Sequence, residues 1–287
     1  MNSESIVENI NLFKQRKSAI LGLFFLVILI FSIVFAQYIV PYGASERAGL
    51  PFEPPTAKHF LGTNDIGVDI FSELFYAGRV SLTVGFIAAF IVILTGSLIG
   101  IISGYAGGLT DEILMRITDI VLILPRFPLM IVMAAYLGPG IWTIIIAYAI
   151  VGWPSLARQV RSQVLSTRKL AFIEASKAAG AGRIHVMAYH ILPNITGIII
   201  ANGIMEIMFA ILTEAGLSFL GLGDPAHQSW GVMLYFAQIQ GAFLRGAWWW
   251  IFPPGVCIAA MSCSINFIGT AFNDLFCLKL DNQTGNS

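Results

Sequence analysis

The stretch 80–102 reads VSLTVGFIAAFIVILTGSLIGII and contains no charged side chain. An α-helix rises about 1.5 Å per residue, so a run of this length can cross the roughly 30 Å hydrocarbon core of a bilayer. Gly96, Gly100 and Gly104 recur every four residues and share one helix face. Small residues on one face let a second helix approach closely. The stretch predicts a membrane-spanning helix whose glycines serve either tight packing along a translocation path or ordinary packing in a bundle.

The composition of the whole chain extends this prediction. Of its 287 residues, 57% are hydrophobic and only 11% are charged. A soluble domain carries about 25% charged residues, so the apolar excess is expected to face lipid. The net charge is zero, and no basic patch indicates nucleic acid. The sequence contains neither a phosphate-binding loop nor a Ser-His-Asp or His-Glu-x-x-His arrangement, so the chain is not expected to be an enzyme.

Six apolar runs predict an all-α protein with about six membrane-spanning helices. The first run is longer than the 7–15 or so residues of a signal-peptide core, so it is predicted to be a retained helix. Pro125 and Pro128 interrupt the third run and predict a kink, which is either a gate hinge or a fit to a curved bundle. The predicted spans are 19–40, 80–102, 113–137, 141–156, 195–219 and 250–270.

Lysine and arginine set the predicted orientation, because cytoplasmic loops collect these residues. They concentrate before the first span and in the segment 158–194, and six spans place both on the same side. We therefore predict a multi-pass protein of the cytoplasmic membrane with one membrane domain at 19–270. The predicted cytoplasmic parts are the tails 1–18 and 271–287 and the loop 158–194; the predicted external loops are 41–79 and 221–249.

Ionisable residues inside the predicted spans are candidate functional groups. A charge at the middle of a bilayer costs about 2.5–3.5 kcal/mol and should face the protein interior or a wet cavity. Asp119 follows Arg116 by three residues, which permits a pair on one helix face, and Glu206 lies near the middle of the fifth span. Each could line a pathway and meet a cationic group. The favoured alternative is a buried structural pair or an interhelical hydrogen bond.

The segment 166–194 carries the most specific signal and reads STRKLAFIEASKAAGAGRIHVMAYHILPN. Ser166 or Thr167 can cap a helix start, and Gly180 suits the left-handed position that ends a helix. A second apolar stretch continues until Pro193, which is expected to stop it. The pattern predicts a short helix, a glycine break and a second helix, which together either contact a partner or form only a structural elbow. The side chains that could make polar contacts at its rim are Glu174, Lys177 and Arg183.

The residues EASKAAGAGRIHVMAYHILPN at 174–194 resemble the Glu-Ala-Ala loop of binding-protein-dependent ABC transporter permeases. The family pattern is Glu-Ala-x-x-x-x-Gly followed by Ile-x-x-Pro, and Ser176 here replaces the second alanine of the loop. The ending His-x-x-Pro-Asn is similar to the dipeptide, oligopeptide and nickel permease subfamily. The residues that match are Glu174, Ala175, Gly180, Ile191 or Leu192, Pro193 and, for the subfamily ending, His190 and Asn194.

Three other stretches resemble the same subfamily in the same order. LGTNDIGVDIFSELFYAGRVSLTVG at 61–85 is similar to the external segment of its C-type subunit, although Asn64 replaces an aspartate and Val68 an arginine. The stretches MRITDIVLILPRFPL at 115–129 and TEAGLSFLGLGDPAHQSWGVML at 213–234 also match. The resemblance therefore extends from about residue 61 to residue 250.

The resemblance implies the permease subunit of an ATP-driven importer. A homologous second permease would complete the pathway, two cytoplasmic ATP-binding subunits would hold ATP and Mg, and an external solute-binding protein would deliver a peptide, nickel or related small solute. No cofactor or metal is expected on this chain; Asp65 and Asp69 supply too few oxygen ligands for a hard-cation site. The alternative is a stand-alone ion-coupled carrier that uses Glu206 and Asp119. The implied ATPase-coupling residues are Glu174, Ala175, Lys177, Gly180, Arg183 and Pro193, and the implied docking residues for the binding protein are Asp65, Asp69 and Asp224.

Overall fold

The computed structural model describes residues 16–284, with side chains described as far as Asp274. This part of the chain is helical, with isolated antiparallel bridges and no β-strand, so the predicted all-α fold class is confirmed. Most of the predicted tail 1–18 lies outside the described residues. The helices are α1 (Lys17–Val34), α2 (Ala36–Ile39), α3 (Ile70–Ala106), α4 (Gly108–Ile123), α5 (Arg126–Leu137), α6 (Ile141–Thr167), α7 (Ala171–Ala178), α8 (Arg183–Leu222), α9 (Trp230–Ile239) and α10 (Trp248–Thr284).

Five of these helices, α1, α3, α6, α8 and α10, are long and apolar enough to cross a membrane. Helices α4 and α5 meet the same test as a pair, bent by 84°. The pair starts beside the C-terminal part of α6, where Arg161 donates to Asp111. It ends near the C-terminal end of α8, where Pro139 lines a cavity with Ser218 and Gly221. Because α6 and α8 run in opposite directions, the pair passes from one end of the bundle to the other. It is the third predicted span, broken in two, and brings the total to six.

The break between α4 and α5 is sharper than the predicted kink. Pro125 disfavours helical geometry at the preceding residue, and Leu124 is extended with ψ of 136°. Pro125 then occupies the N-cap of α5 with ψ of 110°. Pro128 lies in the first turn of α5, where the missing N–H removes no helical hydrogen bond. The local chemistry of the two prolines therefore divides this span into two helices instead of bending one.

Most spans extend beyond the apolar runs that predicted them. Helix α3 begins at Ile70, within the predicted loop 41–79, and α6 continues to Thr167, so that Arg158 and Arg161 are helical. Helix α10 continues past Thr270 through much of the predicted tail 271–287. The predicted loops at these places are wrong in extent. A hydropathy window ends where polar residues begin, whereas a helix can continue into water.

Pro193 does not stop the second helix of the segment 166–194, contrary to the prediction. It lies inside α8, directly after a π-helical turn at Val186–Ile191. A proline clashes with the carbonyl four residues before it, and a π turn is one way in which a helix accommodates such a clash. The side-chain amide of Asn194 donates from Nδ2 to the carbonyl of His190 over 2.6 Å and satisfies an acceptor in this turn.

The glycine face of α3 packs against α6, as the spacing of the glycines predicted. A Cβ atom on Gly100 would lie 2.6 Å from the carbonyl oxygen of Ala157, and one on Gly96 would lie 2.9 Å from that of Trp153. A Cβ atom on Gly104 would lie 2.8 Å from Val164. The backbones of α3 and α6 are therefore close enough that only glycine fits along this face.

Candidate coupling and pathway sites

Helix α7 and the turn that follows it have the predicted form, but not the predicted cap. The N-cap residue is Leu170, which offers no capping side chain. Thr167 is the last residue of α6, and Ser166 donates to the carbonyl of Ser162. The prediction that Ser166 or Thr167 caps α7 is therefore wrong. Gly180 has φ of +87°, which confirms the predicted left-handed position after the helix.

One buried side chain and two polar contacts fix α7 to the helical bundle. Ile173 is fully buried among Val164 of α6 and Val186 of α8. The hydroxyl of Ser176 lies 3.1 Å from Nε2 of His190, at the base of α8. The ammonium of Lys177 lies 5.2 Å from the ring centre of Tyr105, at the end of α3, in a cation–π geometry. Helix α7 thus contacts three spans at once, and a movement of α7 that keeps these contacts also displaces the spans.

The opposite face of α7 is exposed, together with the turn and the base of α8. The six residues that the resemblance implies for coupling are all exposed and all lie at this end of the bundle. Apolar side chains surround them: Ile184 is 78% and Tyr189 70% exposed, and Phe172 is also largely open. Charged and apolar groups exposed side by side are typical of an interaction surface. We name residues 170–193 the coupling surface, after the role that the resemblance implies for it.

A polar cluster joins α3, α4 and α6 beneath the coupling surface. The guanidinium of Arg161 donates two hydrogen bonds of 2.6 Å to the carboxylate of Asp111, in a bidentate pair. The hydroxyl of Ser103 donates to the same carboxylate over 2.5 Å. Arg168 donates to the carbonyl of Gly104 over 2.8 Å and so satisfies an acceptor at the end of α3. These contacts connect the N-terminal end of α4 and the C-terminal end of α3 to α6, the helix that leads into α7.

Asp119 makes an ion pair, but not with the predicted partner. Its carboxylate accepts from Arg158 of α6 over 2.5 Å, whereas Arg116 on its own helix is exposed. Both members of the pair are about half exposed. Asp119 therefore faces the outside of this chain near the coupling end, and its role in the described residues is a contact between α4 and α6.

The carboxylates of α8 are buried and hydrogen-bonded between helices. Glu206 accepts from the hydroxyl of Tyr148 in α6 over 2.7 Å. Glu214 accepts from Ser81 of α3 over 3.0 Å and from Ser218 over 2.7 Å. These geometries agree with the interhelical hydrogen bond that the sequence favoured for Glu206. Each bond satisfies a polar group that would otherwise be costly in a spanning helix.

Arg126 is an ionisable residue to which the sequence assigned no role. It is the first residue of α5, at the break, and lines a cleft of about 270 Å³ with Tyr148, Val151 and Phe209. It is also near enough to Glu206 for an electrostatic interaction. The signal in the sequence was a charge within the stretch 120–137, which carries no other charged residue. Which helices would surround that charge was not predictable, because it depends on the break.

The carboxylates of the predicted docking residues differ in accessibility. Asp69 is 1% exposed, caps α3 by accepting from the N–H and hydroxyl of Ser72, and lies 2.9 Å from Nδ1 of His59. A partner cannot reach it in this conformation, so Asp69 is a structural residue and not a docking side chain. Asp65 is partly exposed, and burial raises its pKa. Within residues 16–274, whose side chains the structure describes, no cluster of three or more His, Cys, Asp or Glu side chains could hold a metal ion.

Asp224 lies on the same side of the bundle as Asp65. Its carboxylate accepts from the N–H of Ala226 over 2.9 Å and lies 2.9 Å from Nδ1 of His227. Partial burial opposes ionisation, but these hydrogen bonds outweigh it and lower the pKa of Asp224. The carboxylate is therefore held as an anion on an otherwise open loop.

Comparison with known protein families identifies the family to which the chain belongs. A profile described as binding-protein-dependent transport system inner membrane component matches residues 96–281. The chain belongs to this family. A second profile, the N-terminal TM domain of oligopeptide transport permease C, matches residues 10–55 of the permease. The family assignment and the C-type subunit that the motifs indicated are thereby confirmed.

Curated relatives agree over nearly the whole length of the permease. It is 37% identical to a putative peptide permease protein of Brucella suis biovar 1, over 93% of this chain and 88% of the relative. It is 36% identical to the dipeptide transport system permease protein DppC of Bacillus subtilis, over 93% and 83%. It is 38% identical to the oligopeptide transport system permease protein OppC of the same organism, over 93% and 88%. The chain is thus the transmembrane permease subunit of an ABC importer.

The bidentate pair under the coupling surface gives a first testable prediction about the permease. Asp111 and Arg161 are 16% and 30% exposed and share two hydrogen bonds. A double-mutant cycle with Asp111→Asn and Arg161→Gln is expected to give an interaction energy of about 1 kcal/mol, since geometry is ideal and screening is partial. The measurement is the apparent free energy of unfolding in detergent.

The more exposed pair between the same two helices is the matched control. Asp119→Asn and Arg158→Gln are expected to couple by about 0.3 kcal/mol or less, because water screens a half-exposed pair. Equal coupling energies in the two cycles would contradict the claim that the Asp111 cluster is the stronger connection between α4 and α6.

Proposed function

We propose that this permease forms half of the translocation pathway of an ATP-driven peptide importer and receives the motion of its ATPase subunits through the coupling surface. The observation that carries the proposal is the position of α7. Its outer face is open at one end of the bundle, while Ile173, Ser176 and Lys177 fix its inner face to α6, α8 and α3. A partner that moves α7 must therefore move spans as well.

The partners follow from this arrangement and from the family. Two ATP-binding subunits, which hold ATP and Mg, would sit at the coupling end, and a homologous second permease would complete the pathway. A solute-binding protein would dock at the other end, near Asp65 and Asp224. The basic residues of the coupling end favour a cytoplasmic position for it, with both termini on that side of the cytoplasmic membrane.

The proposed mechanism is a switch between two packings of the spans. ATP binding closes the ATPase pair and displaces α7, and the energy comes from the tighter binding of nucleotide to the closed state. The glycine face makes α3 and α6 move as one unit. The α4–α5 break offers a place at which the third span can change shape with little loss of helical hydrogen bonds.

The solute is proposed to be a peptide because the relatives described above carry peptide, dipeptide and oligopeptide names. The test is uptake by proteoliposomes that contain the full transporter with its binding protein. Labelled dipeptide is expected to accumulate only with ATP on the coupling-surface side. Accumulation of a nickel complex, without competition by peptides, would contradict the peptide assignment.

The same assay addresses the stand-alone carrier. Uptake by the permease alone, driven by an ion gradient without ATPase subunits, would contradict the proposed coupling. The structure gives the carrier little support. Glu206 is hydrogen-bonded to Tyr148, and Asp119 is paired with Arg158, so neither carboxylate is an open ion site among the described residues.

A further inference from the structure

The cleft at the α4–α5 break contains a cation that the fold does not neutralise directly. Arg126 makes no hydrogen bond or ion pair with the part of the chain that the structure describes, although it is partly buried. The cleft lies at mid-span: Val151 and Gly152 are central in α6, and Phe209 and Thr213 belong to the spanning part of α8. An arginine at this depth is a conspicuous exception, since charged residues are rare inside spans.

The cost of that charge indicates what the cleft faces. A guanidinium in contact with lipid at mid-bilayer is unfavourable by about 2.5–3.5 kcal/mol on insertion scales. Arg126 is the first residue of α5, in the middle of the span. Its side chain therefore cannot bring the guanidinium to a membrane surface by extending along the helix. The cost is avoided only if the cleft opens to a water-filled space or to another protein chain. For a chain that forms half of a pathway, the water-filled space is the pathway.

The walls of the cleft suit one end of a small zwitterionic ligand. Phe127, Met130 and Phe209 supply apolar surface beside Arg126. On the α6–α8 side Tyr148 lines the cleft, and its hydroxyl donates to the carboxyl group of Glu206, which lies within electrostatic range of Arg126. The cleft, of about 270 Å³, is slightly smaller than the roughly 300 Å³ or more of typical small-molecule sites, so it holds part of a ligand.

We propose that Arg126 binds a carboxylate of the transported peptide as it passes through the permease. Guanidinium matches a carboxylate with two parallel hydrogen bonds, and such charge-assisted bonds are strong where water is partly excluded. The apolar wall accepts the neighbouring side chain of the peptide. This proposal rests on the proposed function and adds to it the group on the substrate that the pathway recognises.

The test compares two forms of one dipeptide, with a free C-terminal carboxylate or with a C-terminal amide. Both are presented at saturating loaded binding protein to the complete transporter in proteoliposomes. Arg126→Gln is expected to lower uptake of the carboxylate form about tenfold, the loss of one charge-assisted interaction. Uptake of the amide form is expected to stay within about twofold of wild type, because it lacks the group that Arg126 binds.

Two further variants control the experiment. Arg116→Gln removes an exposed cation from α4 and is expected to leave the uptake of both forms unchanged. If Arg126→Gln does not assemble, Arg126→Lys supplies the test, because it keeps the charge and loses the two-pronged geometry. The Arg126→Lys variant is expected to lower uptake of the carboxylate form severalfold and to leave uptake of the amide form unchanged.

Each remaining outcome overturns a distinct claim. Equal loss of uptake for both peptide forms in Arg126→Gln would assign Arg126 to the structure or to the interface with the second permease. Wild-type uptake of both forms would remove any role in the pathway. If the wild-type transporter took up neither form, the peptide assignment itself would fail, independently of Arg126.

Discussion

Replacing Gly100 by valine is expected to lower the amount of folded permease in the membrane by more than tenfold. A Cβ atom at this position would lie 2.6 Å from the carbonyl oxygen of Ala157 and 2.7 Å from the Cβ of Val160. The backbone oxygen cannot move aside unless α6 separates from α3. Overpacking of this kind costs about 1–3 kcal/mol, and a rigid backbone neighbour places Gly100 at the upper end. The measurement is the folded, monodisperse fraction after extraction in mild detergent.

The control is a glycine in another spanning helix whose surroundings are open. A Cβ atom on Gly255 of α10 would have no heavy atom of the described residues within 4 Å, so Gly255→Val is expected to extract as wild type. Gly100→Ala is expected to be intermediate, because it adds the clashing atom but not the branches. Equal recovery of Gly100→Val and Gly255→Val would show that the α3–α6 contact does not limit stability.

The number of spans was predictable, whereas the path of the third was not. A helix that crosses a bilayer needs a long run of apolar residues, and such a run is visible in the sequence itself. The prolines permit either one kinked helix or two separate helices. The composition of the run does not determine which forms, so the break at Leu124 and Pro125 was not predictable. Likewise, Pro193 was predicted to end a helix that continues, because a π turn can accommodate a proline.

The candidate sites divide in a similar way. The local form of the coupling surface was predictable, because its residues are close in sequence and a short helix, a glycine turn and a second helix place them together. The partners of charged residues were less predictable. Arg158 and Arg161 meet Asp119 and Asp111 across helices, whereas the i, i+3 rule pointed to Arg116 instead. Arg126 acquires its cleft only when α5, α6 and α8 come together.

These contacts suggest how the two proposed sites communicate. In the proposed mechanism, a displacement of the coupling surface is transmitted to the ends of α3, α6 and α8 through Lys177, Ile173 and Ser176. Helices α6 and α8 also form the walls of the Arg126 cleft. A small rotation of either helix would therefore widen or narrow the cleft. On this view the cation is presented to the peptide in one state of the switch and withdrawn in the other.

Replacing Ala175 by aspartate is expected to reduce ATP-driven peptide uptake at least tenfold while leaving the permease folded. Ala171, Ala175 and Ala178 lie on the face of α7 opposite the buried Ile173. Because these side chains are small, a partner can approach the helix most closely on this face. Aspartate adds bulk and a charge that would have to be desolvated in the interface. It does not disturb the fold, because the site is exposed.

Two controls separate the loss of coupling from the addition of a charge. Ala175→Ser keeps the small side chain and is expected to retain most of the uptake. Ser162→Asp adds the same charge at an exposed position of α6 on the same end of the bundle and is expected to be near wild type. ATP hydrolysis and uptake are measured on the same proteoliposomes, because uncoupling lowers the ratio of peptide moved to ATP consumed. A wild-type ratio in Ala175→Asp would mean that α7 does not transmit the motion, and that another contact at the basic end drives the switch.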